Sequence, residues 1–358
     1  MAVAPSESDA DKVRVRELEP GEHGAWCRLV AISAQGSVYA LPDYLSALCK
    51  AAGGCFRILG AFLGDQLVGG VPLYERRARA GVYVANRPLL YYNGIVLELP
   101  PKKFSSDRTA QALTVLEALR KHLAGRGYVR LQLHNRSTLQ EVRPFLANGW
   151  QASLSYTYVV SLTSLADQWE LIDPNLRRLI QRCERDGVTY REDDDIEALF
   201  RLHEQTHLRK GAPLYLRAPA FRGFFDDLRA AGLARLGHAV FDGKVIASQL
   251  TLTGPHPVAH TACAGADEGY LRMGASGFLR WHSFLALARD GYRFNDLTDA
   301  ALNPVTRFKS QLGGELTPTW SLSPPDAWLY RLENGARRLW VAAMRRLRPG
   351  PGTGSRAL

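Results

Sequence analysis

The amino-acid sequence predicts an α/β (α+β) protein made of two tandem copies of one unit, each a mixed, mostly antiparallel sheet flanked by helices. Three observations carry this prediction. The 358 residues suit about two domains of roughly 150 residues each. The composition, 46% hydrophobic and 22% charged, is typical of globular proteins. A strand–turn–strand pattern occurs at 60–75 and again at 237–252, each time followed by an amphipathic helix and a strand.

The first copy follows a leader, residues 1–12, that we predict to be disordered. Pro42 suits the first turn of a helix, and Gly64-Asp65 suits the turn of a hairpin. The predicted elements are a strand at 13–18, helices near 20–33 and 42–52, a hairpin at 55–63 and 66–75, a strand at 87–97 broken at Asn93-Gly94, a helix at 106–124, a strand at 128–134, a short helix at 138–147 and strands at 150–162.

The second copy repeats this order of elements. We predict a helix at 173–188, a hairpin at 237–252, a strand at 258–264, a helix at 274–290 and a strand at 292–297. The two hairpins align as Gly60/Gly237, Phe62/Val240 and Val68/Ile246, which indicates a duplication. We therefore predict domains at 13–150 and 151–320, followed by a basic amphipathic segment at 321–358.

The net charge of +10 indicates an anionic partner. Residues 326–358 contain seven arginines against Asp326 and Glu333, so this segment alone is +5. Its apolar residues follow a helical stripe. The stripe suits docking on the first domain, with contact between 326–348 and an anionic membrane surface as the alternative. The charge outside this segment is modest, so we predict no DNA partner.

The five cysteines are odd in number and show no CxxC spacing, which disfavours a disulfide framework and a structural zinc site. The N-terminal residues are acidic and lack the apolar region of a signal peptide, and no apolar run is long enough to span a membrane. We therefore predict reduced thiols and a cytoplasmic protein, with peripheral contact at the inner membrane as the alternative.

The phrase YLRMGASGFLRW, 270–281, joins a strand to a helix. Small residues let a ligand approach the backbone, and the amides of a helix start bind anions. Arg272, Gly274, Ser276 and Gly277 are therefore candidates for binding a phosphate or pyrophosphate. The alternative interpretation is an ordinary helix start with Ser276 near the cap.

Two further basic stretches are candidate binding segments. Arg307 and Lys309 follow the strand at 292–297, and the carboxyl ends of strands are common ligand positions in α/β sheets. Arg177 and Arg182 lie on the helix at 173–188, where arginine forks suit phosphates and carboxylates. Solvated basic surfaces are the alternative for both.

The sequence His203-Glu204-Gln205-Thr206-His207 matches H-E-x-x-H, a pattern that binds zinc in metalloproteases with the glutamate as base. No third ligand follows at a suitable spacing, and Arg209 and Lys210 place positive charge beside the site. The flanking residues indicate an amphipathic helix that ends at Gly211. We predict no metal, and a zinc hydrolase remains the remote alternative.

The order of phrases in the second half resembles the Fem-type (FemABX) peptidyltransferases and the envelope- and polysaccharide-associated acetyltransferases of the GNAT (acyl-CoA N-acyltransferase) fold. These phrases are LRRLIQRCERDGV at 176–188, LHEQTHLRKG at 202–211, ARLGHAVFDGKVIASQLTL at 234–252, the 270–281 turn, ARDGYRFNDLTDA at 288–300 and RFKSQLGGEL at 307–316. The resemblance covers about 160 residues and implies two tandem GNAT-like domains.

The resemblance implies transfer of an acyl group from acyl-CoA, such as acetyl-CoA, to an amine of an envelope- or polysaccharide-related acceptor, which would be a small molecule or a glycan or peptide precursor. Arg272 and the Gly274–Gly277 turn would hold the donor phosphate, and Lys309 would face the substrate cleft. Ser276 replaces the usual second glycine of the phosphate turn, so a tRNA that carries an aminoacyl group remains an alternative donor.

An acid or base is optional for such a transfer, since backbone amides can stabilise the oxyanion. Asp296, Asp299 and Tyr270 are the candidates, and each also has a structural interpretation. The alternative function is a non-catalytic binding module of an envelope or polysaccharide biosynthesis complex, because duplicated domains can lose activity.

Overall fold

A computed structural model describes residues 13–85, 87–302 and 304–325. The leader predicted at 1–12 and the basic stretch at 326–358 lie outside the described residues. No helix in the described ranges is both long and apolar enough to cross a membrane.

The first half of the chain forms a sheet in which strands run in the order β1-β2-β3-β4-β6, with β5 also paired to β3. Helix α3 covers one face of this sheet through Leu116, Leu119 and Leu123. The elements are β1 (Val13–Glu17), α1 (His23–Ile32), α2 (Pro42–Ala52), β2 (Cys55–Leu63), β3 (Gln66–Ala78), β4 (Gly81–Val84), β5 (Val96–Leu97), α3 (Ser105–Ala124), β6 (Arg130–Leu131), β7 (Leu133–Asn135), α4 (Arg143–Leu146) and β8 (Gln151–Ser161).

The second half forms most of an eight-stranded sheet with the order β7-β14-β8-β13-β12-β11-β10-β9. The elements are α5 (Leu165–Leu171), α6 (Pro174–Arg185), β9 (Thr189–Glu192), α7 (Ile196–Arg209), α8 (Ala218–Ala230), β10 (Ala234–Phe241), β11 (Lys244–Leu252), β12 (Val258–Ala266), α9 (Ala275–Arg289), β13 (Phe294–Asp296), α10 (Pro304–Ser310) and β14 (Glu315–Ser323). Helix α9 packs on α6 and on β10 to β12, and α7 packs on β11 and β12.

A shared β-bulge confirms the duplication. In the first hairpin Ala61 pairs with Gly69 and Phe62 with Leu67, so Val68 is the extra residue. In the second hairpin Ala239 pairs with Ala247 and Val240 with Val245, so Ile246 is the extra residue. The equivalences Val68/Ile246 and Phe62/Val240 therefore hold. The structural equivalent of Gly60 is His238, one residue beyond the glycine that the sequence alignment selected.

The segment 87–97, predicted as a strand, forms only the short β5. The side chain of Asn93 takes over pairing that a strand backbone would make: its Nδ2 donates to Gln132 O at 2.9 Å and its Oδ1 accepts from His134 N at 2.8 Å. A Cβ at position 94 would lie 2.2 Å from Asn135 Oδ1. Glycine at 94 therefore permits this close approach.

The first half contributes strands to the second sheet. β8 ends the first half and pairs with β13 and β14 of the second. β14 ends the described chain and pairs with β7 of the first half. Residues 321–323, which we assigned to the basic C-terminal segment, are the end of this strand. The eight-stranded sheet therefore includes β7 and β8 of the first half, while the first sheet is built from first-half strands alone.

An apolar core also joins the halves. Helix α2 of the first half packs on α8 of the second, where the Tyr44 and Phe224 rings meet edge-to-face at 5.7 Å. Leu48 and Leu228 belong to the same buried cluster. This core fixes the position of the first half against the open edge of β12, where the candidate site lies.

Candidate functional site

A crevice opens where β12 and β13 separate. The two strands pair in parallel only from Val258/Phe294 to His260/Asp296. β12 then continues to Ala266, while the chain after β13 turns away. Such a gap at the carboxyl ends of neighbouring strands is a frequent ligand position. We call the space between residues 261–266 and the turn at 297–299 the crevice.

The turn that forms one wall of the crevice is strained. Thr298 and Asp299 have φ angles of 49° and 52°, a region that non-glycine residues, and β-branched ones above all, seldom adopt. Two contacts hold Thr298 there: its amide donates to Asp296 Oδ1 at 2.8 Å, and its hydroxyl donates to Thr261 O at 2.8 Å. Strain of this kind persists where surrounding contacts over-determine the backbone.

Asp296, one of the predicted catalytic candidates, is 1% exposed and is the centre of a hydrogen-bond network. Tyr92 Oη donates to Oδ2 at 2.7 Å, and Thr157 Oγ1 donates to Oδ1 at 2.5 Å. With the amide of Thr298, three donors converge on this carboxylate from the first half, from β8 and from the turn. This geometry suits a positioning residue. A catalytic role for Asp296 stays a prediction.

His260 lies beside this network without ionising. Its Nδ1 is 3.7 Å from Asp296 Oδ2, and its ring meets that of Tyr39 at 5.0 Å. Burial lowers the pKa of His260 to about 3. The imidazole is therefore neutral at physiological pH, so His260 supplies no positive charge to Asp296.

Lys309 of α10 reaches the strained turn, while its predicted role in facing a substrate stays a prediction. Its Nζ donates to the carbonyl oxygen of Thr298 and to that of Asp299 at 2.6 Å. Burial, aided by the nearby charge of Arg280, lowers the pKa of Lys309 to about 8. Asp299 is exposed, and its Oδ1 accepts from Ala301 N at 3.1 Å. The structure thus brings Lys309, Asp296 and Asp299 together.

Arg280 of α9 is a crevice residue that the sequence analysis missed. Its Nη1 donates to Gln249 Oε1 on β11, and burial lowers the pKa of Arg280 to about 10. A signal was available in the sequence. Leu279 and Trp281 on either side are buried, so this arginine interrupts a helix that is apolar on most of its circumference, where a charge needs a reason.

Two tyrosines form the opposite wall. Tyr91 Oη donates to Ala262 O at 3.4 Å, and Tyr215 packs edge-to-face on His207 with ring centres 5.0 Å apart. Burial raises the pKa of both tyrosines, and the charge of Asp299 adds to this rise. Both hydroxyls are therefore protonated at neutral pH, and Tyr91 uses its single proton on Ala262 O.

The H-E-x-x-H motif lies on α7, behind this wall. The rings of His203 and His207 are 4.1 Å apart, His207 Nδ1 lies 2.9 Å from Pro213 O, and Glu204 is exposed. Burial lowers the pKa of His203 to about 3. Across the described ranges, no three or more His, Cys, Asp or Glu side chains are grouped so that they could hold a metal ion.

The turn predicted to bind phosphate forms a 3-10 segment, Glu268–Met273, followed by α9. Arg272 is exposed, Ser276 is half-buried, and the Tyr270 ring lies 5.2 Å from Lys244 Nζ. A Cβ on Gly274 would lie 2.7 Å from Leu179 Cβ, and one on Gly277 would lie 2.5 Å from Leu176 Cδ1. Both glycines therefore allow α6 to pack closely on α9, while phosphate binding at this turn stays a prediction.

Replacing Gly274 by alanine should lower the free energy of unfolding by about 3 kcal/mol. Its φ of +99° opposes a side chain, and the contact with Leu179 adds overpacking. The matched control is Gly291→Ala at the other end of α9, where φ is +87° and no atom lies within 4 Å. That change should cost only about 1 kcal/mol. Urea unfolding measures both, and equal losses would contradict the packing role of Gly274.

The remaining predicted binding residues lie at the surface. Arg177 pairs with Glu170 at 2.5 Å and Arg182 with Asp186 at 3.3 Å, both from α6. Arg307 is exposed on α10, two residues before Lys309. A substrate role for these three arginines stays a prediction.

Comparisons with known proteins agree with this geometry. Residues 174–310 match the family model described as the acetyltransferase (GNAT) domain. The crystal structure of FemX superposes with a TM-score of 0.68 at 10% identity, over 86% of this chain and 96% of that one. L-PGS from Bacillus licheniformis gives 0.57 at 11% identity, over 90% and 98%.

The C-terminal domain (DUF2156) of a putative lysylphosphatidylglycerol synthetase from Agrobacterium fabrum gives a TM-score of 0.55 at 15% identity, over 85% of this chain and 92% of that one. No curated protein matches the chain. At these identities the similarity to solved structures shows the fold, and the family model covers the part of the chain that forms the crevice. The predicted fold is confirmed, and residues 174–310 match the GNAT family that the second-half phrases resemble.

Proposed function

We propose that this chain, a tandem GNAT-fold protein whose second domain is an acetyltransferase (GNAT) domain, transfers an acyl group from an activated ester or thioester to an amine. The observation that carries the proposal is the crevice between β12 and β13, which lies inside the matched range 174–310. Its walls combine an exposed carboxylate, a lysine and two protonated tyrosines, which suit binding and orientation of polar reactants.

The chemistry needs no nucleophilic side chain. The donor carbonyl and a neutral amine must lie about 3–3.5 Å apart, and the oxyanion that forms needs hydrogen-bond donors. β12 leaves its ladder with β13 after His260, and a bulge places Ala262 as an extra residue opposite β11. We assign the oxyanion donors to backbone amides along this open edge.

The side chains of the crevice have separable roles in this proposal. Asp296 and Lys309 hold the strained turn, which keeps the crevice open. Tyr215 donates a hydrogen bond to the reacting groups or the leaving group, and Tyr91 holds β12 through Ala262 O. Asp299, exposed at the mouth, is placed to accept the proton that the amine loses.

Acyl-CoA is the proposed donor, with the turn 268–277 beside its phosphates, and aminoacyl-tRNA is the alternative that the same crevice chemistry allows. The acceptor in this proposal is an amine of an envelope- or polysaccharide-related molecule. Its support is the resemblance of the second-half phrases to Fem-type and polysaccharide-associated proteins.

Transfer should be lost when Lys309 and Arg272 are both replaced by alanine. The test incubates purified protein separately with acetyl-CoA and with aminoacyl-tRNA, offers amino sugars and peptidoglycan-precursor peptides as acceptors, and detects products by mass spectrometry. We expect the double variant to lose at least about 100-fold in rate, the scale of removing groups that position reactants, with an unchanged circular dichroism spectrum.

Lys121→Ala is the matched control, because Lys121 is exposed on α3 in the first half and should leave transfer unchanged. Full activity of the Lys309/Arg272 double variant would contradict the site assignment. Absence of transfer from either donor, to any of the acceptors, would favour the non-catalytic binding module.

A further inference from the structure

Two cations are held at the two sides of the crevice. Arg280 of α9 is held by Gln249, which pairs with Ala264 of β12. Lys309 of α10 is held by the carbonyls of Thr298 and Asp299, in the turn that contacts Thr261 of β12. Arg280 is close enough for its charge to contribute to the lowered pKa of Lys309.

Neither cation has an ion-pair partner among the described residues. In the part of the chain that the structure describes, no carboxylate lies within ion-pair distance of Arg280 or Lys309. Ion pairs of arginine with acidic residues are otherwise common in this protein. Asp290, for example, pairs with both Arg235 and Arg289. Partly buried charges without a counter-charge are costly, so this pair has a function that offsets the cost.

The nearby carboxylates are already engaged. Asp296 accepts from Tyr92, Thr157 and the amide of Thr298. Asp299 is exposed and accepts from Ala301 N. The neutral groups that hold the two cations, an amide oxygen and two backbone carbonyls, fix their positions and leave their charge intact.

Hydrogen bonding leaves donors on both cations. Gln249 engages only Nη1 of Arg280, so Nε and Nη2 remain, which is the edge that binds carboxylates and phosphates in a bidentate manner. Lys309 Nζ uses two of its three donors on carbonyls. An oxyanion between the two side chains would complete both.

We infer that Arg280 and Lys309 form a binding site for an oxyanion, a carboxylate or phosphate group carried by a substrate in the crevice. The site itself is a statement about ligand binding. Only the assignment of the oxyanion to a substrate rests on the proposed acyl transfer, so the test measures binding in the absence of any reaction.

The experiment measures the melting temperature of the full chain in sodium phosphate, in sodium acetate and in sodium chloride at equal ionic strength and pH 7. An anion that binds the folded state raises the melting temperature, by about 2 °C or more once its concentration is roughly ten times its dissociation constant. The wild type should respond to phosphate or acetate above chloride. Whichever of phosphate and acetate raises the melting temperature more is the preferred oxyanion.

Arg280→Gln should abolish this difference, and Arg289→Gln should retain it. Arg289 is the matched control, since it lies on the same helix and is exposed. A response that survives in Arg280→Gln would overturn the inference, as would a wild type that responds equally to all three salts.

Gln249→Glu tests the same site without removing either cation. The new carboxylate keeps the contact with Arg280 Nη1 and supplies the missing counter-charge, so this variant should remain folded and lose the oxyanion response. A Gln249→Glu protein that still responds as the wild type does would contradict the inference even if Arg280→Gln fails to fold. A wild-type protein that binds the oxyanion but transfers no acyl group would contradict the proposed function alone.

Discussion

Replacing Asp296 by alanine should lower the free energy of unfolding by about 4 kcal/mol. The carboxylate is the shared acceptor of Tyr92 Oη, Thr157 Oγ1 and the Thr298 amide, all of which are buried. Each buried donor left without a partner costs about 1–3 kcal/mol. Denaturant unfolding with a linear extrapolation measures the change.

Two milder variants should lower the free energy of unfolding by less than Asp296→Ala does. Asp296→Asn keeps one acceptor oxygen and should cost about 2 kcal/mol, and Tyr92→Phe removes a single donor to a charged group and should cost about 1.5 kcal/mol. A double-mutant cycle between Asp296→Ala and Tyr92→Phe should show non-additivity. A loss under 1 kcal/mol for Asp296→Ala, or strict additivity, would contradict a network that links the two halves.

The same variants separate positioning from catalysis. Tyr92 belongs to the first half, and its hydroxyl donates to Asp296 Oδ2. If Asp296 holds the strained turn, Tyr92→Phe should change the substrate KM and rate together, because the wall of the crevice shifts. A pH profile of the rate that loses an acidic limb only in Asp296→Asn would instead identify Asp296 as a proton acceptor.

The sequence predicted the duplication well because hairpins leave a local signal. Alternation of apolar residues around Gly64 and Gly243 defined both hairpins, and the bulge residues Val68 and Ile246 occupy equivalent positions. The pairing of β7 and β8 with strands of the second half carries no such signal. Alternation decides which face of a strand is buried, while its partner depends on contacts far along the chain.

The candidate site was predictable in part for the same reason. Lys309 lies in a phrase close to β13, so its place at the end of that strand followed from order along the chain. Tyr92 and Tyr215 reach the crevice from other elements, and only the folded chain brings them there. Arg280 was detectable as a charge in a buried helix, although its partner Gln249 was not.

The roles of Gly274 and Gly277 could not be predicted from the sequence. Small residues at a strand-to-helix turn suit both a phosphate and a close helix contact. The sequence favours neither, and the contacts with Leu179 and Leu176 supply a packing reason that was invisible along the chain.

The stability of the wild type relative to Lys309→Met should rise by about 3 kcal/mol between pH 8 and pH 10.5. The folded protein holds Lys309 at a pKa of about 8, against a usual 10.5. Within this window the unfolded chain keeps the proton that the folded protein has released, so stability increases with pH. Each unit of difference between the two pKa values corresponds to about 1.36 kcal/mol, which gives the magnitude of the rise.

Burial is the main cause of this lowered pKa. The positive charges of Arg280 and Lys210 lower the pKa of Lys309 further, and the negative charges of Asp299 and Asp296 oppose this lowering. Below pH 8 both states are protonated and above 10.5 both are neutral, so the difference between wild type and variant should be flat outside the window. Urea unfolding of both proteins at intervals from pH 7 to 11 measures it, and subtraction removes the titration of all other groups.

Lys121→Met is the control for the pH series, because the Lys121 side chain is 70% exposed on α3 and the difference of this variant from wild type should stay nearly constant. A constant difference for Lys309→Met over the same range would mean that Lys309 is as well hydrated as Lys121. It would then lie outside the crevice, and its partnership with Arg280 would fall with it. A rise confined to pH 8–10.5 instead places a desolvated, chargeable amine where the oxyanion of a substrate would be bound.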